Sequence, residues 1–159
     1  MPLSKIKQDS VDTPVAGTGP AFSAYQSSAQ TLASATFTKI QFQTEEFDTA
    51  NAFNNTGSTV GTAPSYSFNP QVAGYYQLSA AITRGVSNTD ITFTFYKNNS
   101  PYKAASTVYV NAGSVSASAL IYMNGTTDFV EVYGYLTIGQ ALAASISATY
   151  FQASMVRAA

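Results

Sequence analysis

The sequence predicts an all-β protein, a sandwich or barrel of short strands, on three observations. Apolar residues recur with period two over most of the chain after residue 20. β-branched and aromatic side chains are frequent, with 11 Tyr and 10 Phe, and clusters of turn-forming residues break the alternation at short intervals. No segment carries a convincing helical period. A chain of 159 residues suits one compact domain plus a short appendage, because a second independent core would leave both poorly buried.

Residues 1–19 are polar, carry Lys5, Lys7, Asp9 and Asp12, and run into the chain breakers Gly17, Gly19 and Pro20, so they are expected to form an arm or linker, and docking of that arm to a larger assembly is implied only by the resemblance given below. Residues 20–159 form the domain. Ala21, Phe22, Ser23 and Ala24 open its first strand, and strands are expected at 37–43 and 65–68, with 51–64, rich in Asn, Gly, Ser and Thr, as a long exposed loop. The clearest strand is 74–83, where Tyr76, Leu78, Ala80 and Ile82 share the core face and Tyr75, Gln77, Ser79 and Ala81 the other. In 90–97, Ile91, Phe93 and Phe95 alternate with Thr92, Thr94 and Tyr96, and the cluster Asn98, Asn99, Ser100, Pro101 predicts a hairpin into 103–110. Residues 115–123 alternate again, and Asn124-Gly125 offers a turn into 129–136, so these two strands are expected to pair, although the extra residues Thr126 to Asp128 permit a longer loop. Alanines at 139–147 compete for a helix, but Ser and β-branched neighbours favour strand or loop, and a last strand is expected at 147–156. The total is eight to ten strands.

Charged residues make up only 9% of the chain against 45% hydrophobic, so Ser, Thr, Asn and Gln must keep the strand faces wet, and low charge favours self-association. Seven basic and eight acidic residues leave a net charge of −1 and no basic footprint for nucleic acid or anionic lipid. No apolar run approaches membrane-spanning length, so membrane insertion is not expected. Without Cys there are no disulfides, thiolate nucleophiles or cysteine metal sites.

Catalysis is not expected either. No His is present, which removes His-dependent triads and the commonest general base. Glu45 and Glu46 are adjacent and on a strand would point to opposite faces, unlike a glycosidase pair. Calcium needs only oxygen ligands, and Asp90 and Asp128 are the acids nearest to suitable loops, but a turn-stabilising role comes first for each and no metal or cofactor is assigned. Glycosylation triplets at Asn54, Asn98 and Asn124 are ordinary for so Asn- and Thr-rich a chain. Tyrosines at strand spacing are expected to pack rather than bind sugar, and loops 51–64, 84–88 and 111–114 are the better recognition surfaces.

The order Phe42, Asp48, Phe53, Phe68, Gly74, Tyr76 resembles the signature of the complement C1q globular head family. Two departures are visible: the gap from Phe53 to Phe68 is longer than usual, and Leu78 and Ala80 stand where the family has aromatics. Ala21 to Ala24 resembles its opening strand, Tyr96-Lys97-Asn98-Asn99 its hairpin, Asp128 to Tyr133 the strand after a Gly-Asp turn, and Tyr150 to Val156 its closing strand. The resemblance covers nearly all of residues 20–157. It implies a C1q- and tumour-necrosis-factor-like jelly roll of ten strands, homotrimeric, with both chain ends at the base and first and last strands side by side. Some of Tyr75, Tyr96, Tyr133, Tyr135 and Tyr150 are expected in the trimer contacts.

Animal members of that family usually have a secretion signal and a collagen-like stalk, and residues 1–19 show neither pattern. The Lys-Ile-Lys start, Asp-Ser-Val-Asp and Gly-Thr-Gly-Pro-Ala-Phe-Ser-Ala-Tyr entry resemble small structural proteins and fibre tips of tailed bacteriophages, and bacterial relatives share this look. The expectation is a virion protein made in the bacterial cytoplasm and displayed on the particle, a fibre or spike tip adhering to a host surface glycan or protein. Its first alternative is a head-fibre or decoration module without a receptor; an extracellular C1q-like ligand and a glycan hydrolase rank lower.

Overall fold

The alternation read along the chain resolves into two antiparallel sheets packed face to face, seen in a computed structural model that describes residues 18–85, 89–105, 107–110 and 113–159. The predicted arm is therefore outside the described residues except for Thr18 and Gly19, as are 86–88 and 111–112 of the two short recognition loops. The strands in chain order are β1 (Ala21–Tyr25), β2 (Thr31–Leu32), β3 (Thr38–Lys39), β4 (Thr44–Asp48), β5 (Phe53–Asn54), β6 (Ser67–Phe68), β7 (Ala73–Thr83), β8 (Thr89–Lys97), β9 (Ser100–Ala104), β10 (Val108–Val110), β11 (Ser114–Asn124), β12 (Val130–Leu136), β13 (Gln140–Ala141) and β14 (Tyr150–Ala158). Among the described residues there is no helix, and of the alanines of 139–147 Ala141 lies in β13 and Ala143 and Ala144 in irregular chain.

One sheet has the order β11-β7-β14-β1-β4. The other runs β10-β8-β12-β6-β5, with β9 also on β8 and β3 also on β12, while β2 and β13 form a small ribbon. The first and last strands pair as expected, Phe22 opposite Ala153 and Ala24 opposite Phe151, and β4 covers the other side of β1. Both terminal strands are thus interior to their sheet, which removes two edges open to strand addition. The described ends meet at one place, where the Met155 N–H donates to the Pro20 carbonyl.

Inward-facing side chains from both sheets build one core around Phe22, whose ring stacks on Phe53 at 4.5 Å and Phe68 at 4.8 Å and meets Phe151 edge-on at 5.0 Å. Such offset and edge-to-face contacts are the preferred aromatic geometries.

Four expectations need correction. β11 and β12 do not pair: β11 lies on β7 and β12 on β8, in opposite sheets. The reason is the turn between them, in which the Asn124 Oδ1 accepts the N–H groups of Thr126, Thr127 and Asp128, each at 3.0 Å, and carries the chain across the sandwich instead of back along it. The single strand expected at 103–110 is two, β9 and β10, both on β8, and β9 begins at Ser100 because Asn98 and Asn99 alone make the turn. Residues 37–43 ladder only at β3, and β4 follows unforeseen. Loop 51–64 is not wholly exposed, since β5 buries Phe53 and Asn54.

Candidate functional site

The residues of the C1q-like signature serve the scaffold. Phe42, Phe53, Phe68 and Tyr76 are core residues, and burial drives the Tyr76 phenol well above its usual range while its hydroxyl donates to the Val72 carbonyl. Asp48 closes the turn after β4, accepting the Ala50 N–H at 3.1 Å on one oxygen and the Phe53 N–H at 2.7 Å on the other. Gly74 is required by close approach: a Cβ there would stand 2.6 Å from the Arg157 carbonyl oxygen, where β14 shifts register against β7.

The five tyrosines expected at a trimer contact do not share a surface. Tyr75 and Tyr150 lie on the outward face of the five-stranded sheet, and Tyr96, Tyr133 and Tyr135 on the outward face of the other. The first face is nearly free of charge. Tyr75 and Tyr122 stand opposite each other with ring centroids 5.4 Å apart, Leu120 is 51% exposed, and Gln77, Ser79, Ser116, Ser118, Gln152 and Ser154 fill the positions between. At its β4 rim Phe47 is also 51% exposed, and Glu46 takes a 2.6 Å hydrogen bond from Ser23.

The second face carries a row of aromatic rings. Tyr96 and Tyr133 stack at 4.1 Å, and Phe37, 42% exposed, reaches Tyr135 at 5.1 Å and Tyr96 at 6.3 Å. Beside the row Lys39 forms an ion pair with the fully buried Glu131, donates to the Ser65 carbonyl and lies 5.9 Å from the Tyr133 centroid. Burial first, then the Glu131 carboxylate and Tyr96, push the Tyr133 phenol upward. All three lysines among the described residues, Lys39, Lys97 and Lys103, belong to strands of this sheet. Strand alternation already set Glu131, Tyr133 and Tyr135 against Val130, Val132 and Leu136; nothing in the local sequence announced that Phe37 would join them.

The remaining polar candidates fall to structural roles. Asp90 and Asp128 sit at opposite ends of β8, about 20 Å apart at strand rise, so they cannot share an ion. Asp128 is a turn residue: Lys97 pairs with Oδ2 at 2.8 Å, the Asn98 amide donates to Oδ1 at 2.7 Å and the Asn124 N–H to Oδ2 at 3.0 Å. Burial would raise its carboxyl, but these bonds and the Lys97 charge outweigh it and hold the group below the ordinary range. Glu45 is displaced the other way, by burial and then by Asp48. Among the described residues no three acids gather as metal ligands. Asn54 is buried and its amide donates to the carbonyls of Ser58, Ala63 and Pro64, which withdraws that glycosylation triplet from solvent.

Comparison with solved structures decides the fold. The chain superposes on an Eiger tumour necrosis factor from S. frugiperda with TM-score 0.66 and 10% identity over 89% of this chain and 95% of that one. On the globular domain of zebrafish complement 1qA the values are 0.61 and 16% over 88% and 99%, and on murine APRIL 0.62 and 9% over 86% and 98%. This is the jelly roll of the tumour-necrosis-factor and C1q globular domains. At these identities the likeness is one of fold. No family model matches the chain, and no curated protein matches it in sequence.

Proposed function

We propose that the chain is a non-enzymatic structural protein of a bacteriophage virion, a homotrimer that forms the tip of a fibre or spike and adheres to the host surface. The observation that carries this reading is the outward face of the five-stranded sheet. Its edge strand β11 runs for eleven residues without a charge and exposes Leu120 and Tyr122. A long, uncharged edge invites association unless something covers it, and copies of the same chain arranged in a closed ring cover it without leaving a free end. The core of an interface is also depleted in charged residues relative to ordinary surface, as this face is. The jelly-roll fold is compatible with such a trimer, and the sequence resemblance to phage fibre tips and small virion proteins supports the setting. Residues 1–19 would dock to other virion proteins, and three copies would multiply a weak affinity for a host glycan or protein.

Light scattering on the purified protein tests the assembly, with a mass near three times 16.8 kDa expected down to dilute concentration and a monomer at every concentration counting against it. Pull-down of the trimer by bacterial cells then tests adhesion. Particles that lose integrity without the protein, while the isolated trimer binds no cells, would replace the adhesin with a decoration module.

A further inference from the structure

We infer that the aromatic row on the outward face of the seven-stranded sheet is a binding platform for a neutral polysaccharide. This names the class of ligand and the site that the adhesion reading leaves open, and it rests on that reading only for the source of the glycan. Four rings, Tyr135, Phe37, Tyr96 and Tyr133, follow one another with centroid separations of 5.1, 6.3 and 4.1 Å. The three phenol hydroxyls make no hydrogen bond to any described residue, so the row presents apolar ring surface edged by free donors and acceptors. That combination matches a pyranose, whose C–H face stacks on a ring while its hydroxyls hydrogen-bond at the rim.

Charge and area exclude other occupants. Lys39 is neutralised by Glu131, so the platform has no net charge to recruit a phosphate or an acidic polymer. Glu131 Oε2 is buried and has no hydrogen-bond partner, a polar acceptor held beside the rings with Lys39 as its cover. With Phe37 42% exposed and the tyrosines half-buried, the rings offer roughly 250 Å² at the size of an aromatic side chain. A stable protein partner needs about 800 Å² on each side, so a second copy or another folded protein is a poor fit, whereas a chain of a few sugars covers such a strip.

The test is affinity electrophoresis of the full chain in native gels carrying dextran, mannan, galactan or hydroxyethylcellulose, beside pull-down by bacterial cells. Retardation of the wild type by one or more of these polymers is expected. It should weaken at least tenfold in the Phe37→Ala/Tyr135→Ala variant and in Phe37→Ser, a single change at an exposed position, with mass and urea midpoint of the latter unchanged. No retardation by any polymer, or equal retardation of wild type and variants, overturns the platform. Cell binding that the variants retain in full leaves adhesion standing and removes the platform from it; retardation through the rings without cell binding leaves the platform and removes adhesion.

Discussion

At the scale of single residues, polar side chains in this protein mostly shape turns. Asp128 is the clearest case, since its side chain gathers Lys97, Asn98 and the Asn124 N–H while its own carbonyl accepts the Asn69 amide at 2.7 Å. Asp128→Ala strands three donors in a poorly hydrated corner, and a loss of about 2 kcal/mol is expected in urea unfolding, the scale of a hydrogen bond to a charged group. The pH dependence has a definite sign. A carboxyl held lower in the folded protein than in the unfolded chain stabilises fully above the unfolded value, about 3.9, and that stability drains away as pH falls through the folded value. The gap in stability between wild type and Asp128→Asn should therefore be widest at neutral pH and close below about pH 4. A gap that is constant from pH 7 to pH 3 would mean that the charge is irrelevant and only the shape of the side chain matters.

At the scale of elements, hairpins with their own local chemistry were legible, whereas of the long-range pairings only that of the first and last strands was expected, from the family resemblance. Asn98 and Asn99 have φ of 52° and 64°, so Lys97 pairs with Ser100 across a two-residue turn whose twist matches that of the strands. Asn tolerates this left-handed region better than most residues, and Gly is free there. Asn99→Gly should leave stability equal or raised, while Asn99→Val should lower it by about 1–2 kcal/mol, read from urea midpoints. Equal destabilisation by both would show that the Asn99 side chain, not its backbone, holds the hairpin. Asn124-Gly125 offered the same kind of signal, and Gly125 does take φ of 74°. The mistake lay in reading a hairpin into it, because the local residues also suit a five-residue crossover and only the side chains of Asn124 and Asp128 choose between the two. Short ladders such as β2 and β5 escaped for a related reason: two paired residues have no period to detect. The aromatic row escaped because it joins Phe37 to strands β8 and β12, far away in sequence.

At the scale of the whole molecule, the two outward faces differ in kind, which suggests different occupants. The lysines among the described residues lie in strands of the seven-stranded sheet, whereas the β11 edge of the other sheet has no charge to desolvate when covered. In a three-fold assembly one substitution enters every interface, so a single buried charge is repeated at each, and an unpaired buried ion opposes assembly by several kcal/mol. Leu120→Lys places that charge at an exposed position where the monomer has nothing to lose, so folding should be unaffected while the mass by light scattering falls to about 16.8 kDa at micromolar concentration. Tyr102→Lys puts the same charge on β9, 52% exposed in the other sheet, and should keep the threefold mass. The comparison isolates the face, because both variants add one charge at an exposed strand residue. Loss of assembly in both would point to net charge as its determinant, and a Leu120→Lys protein that stays trimeric would move the contact away from β11.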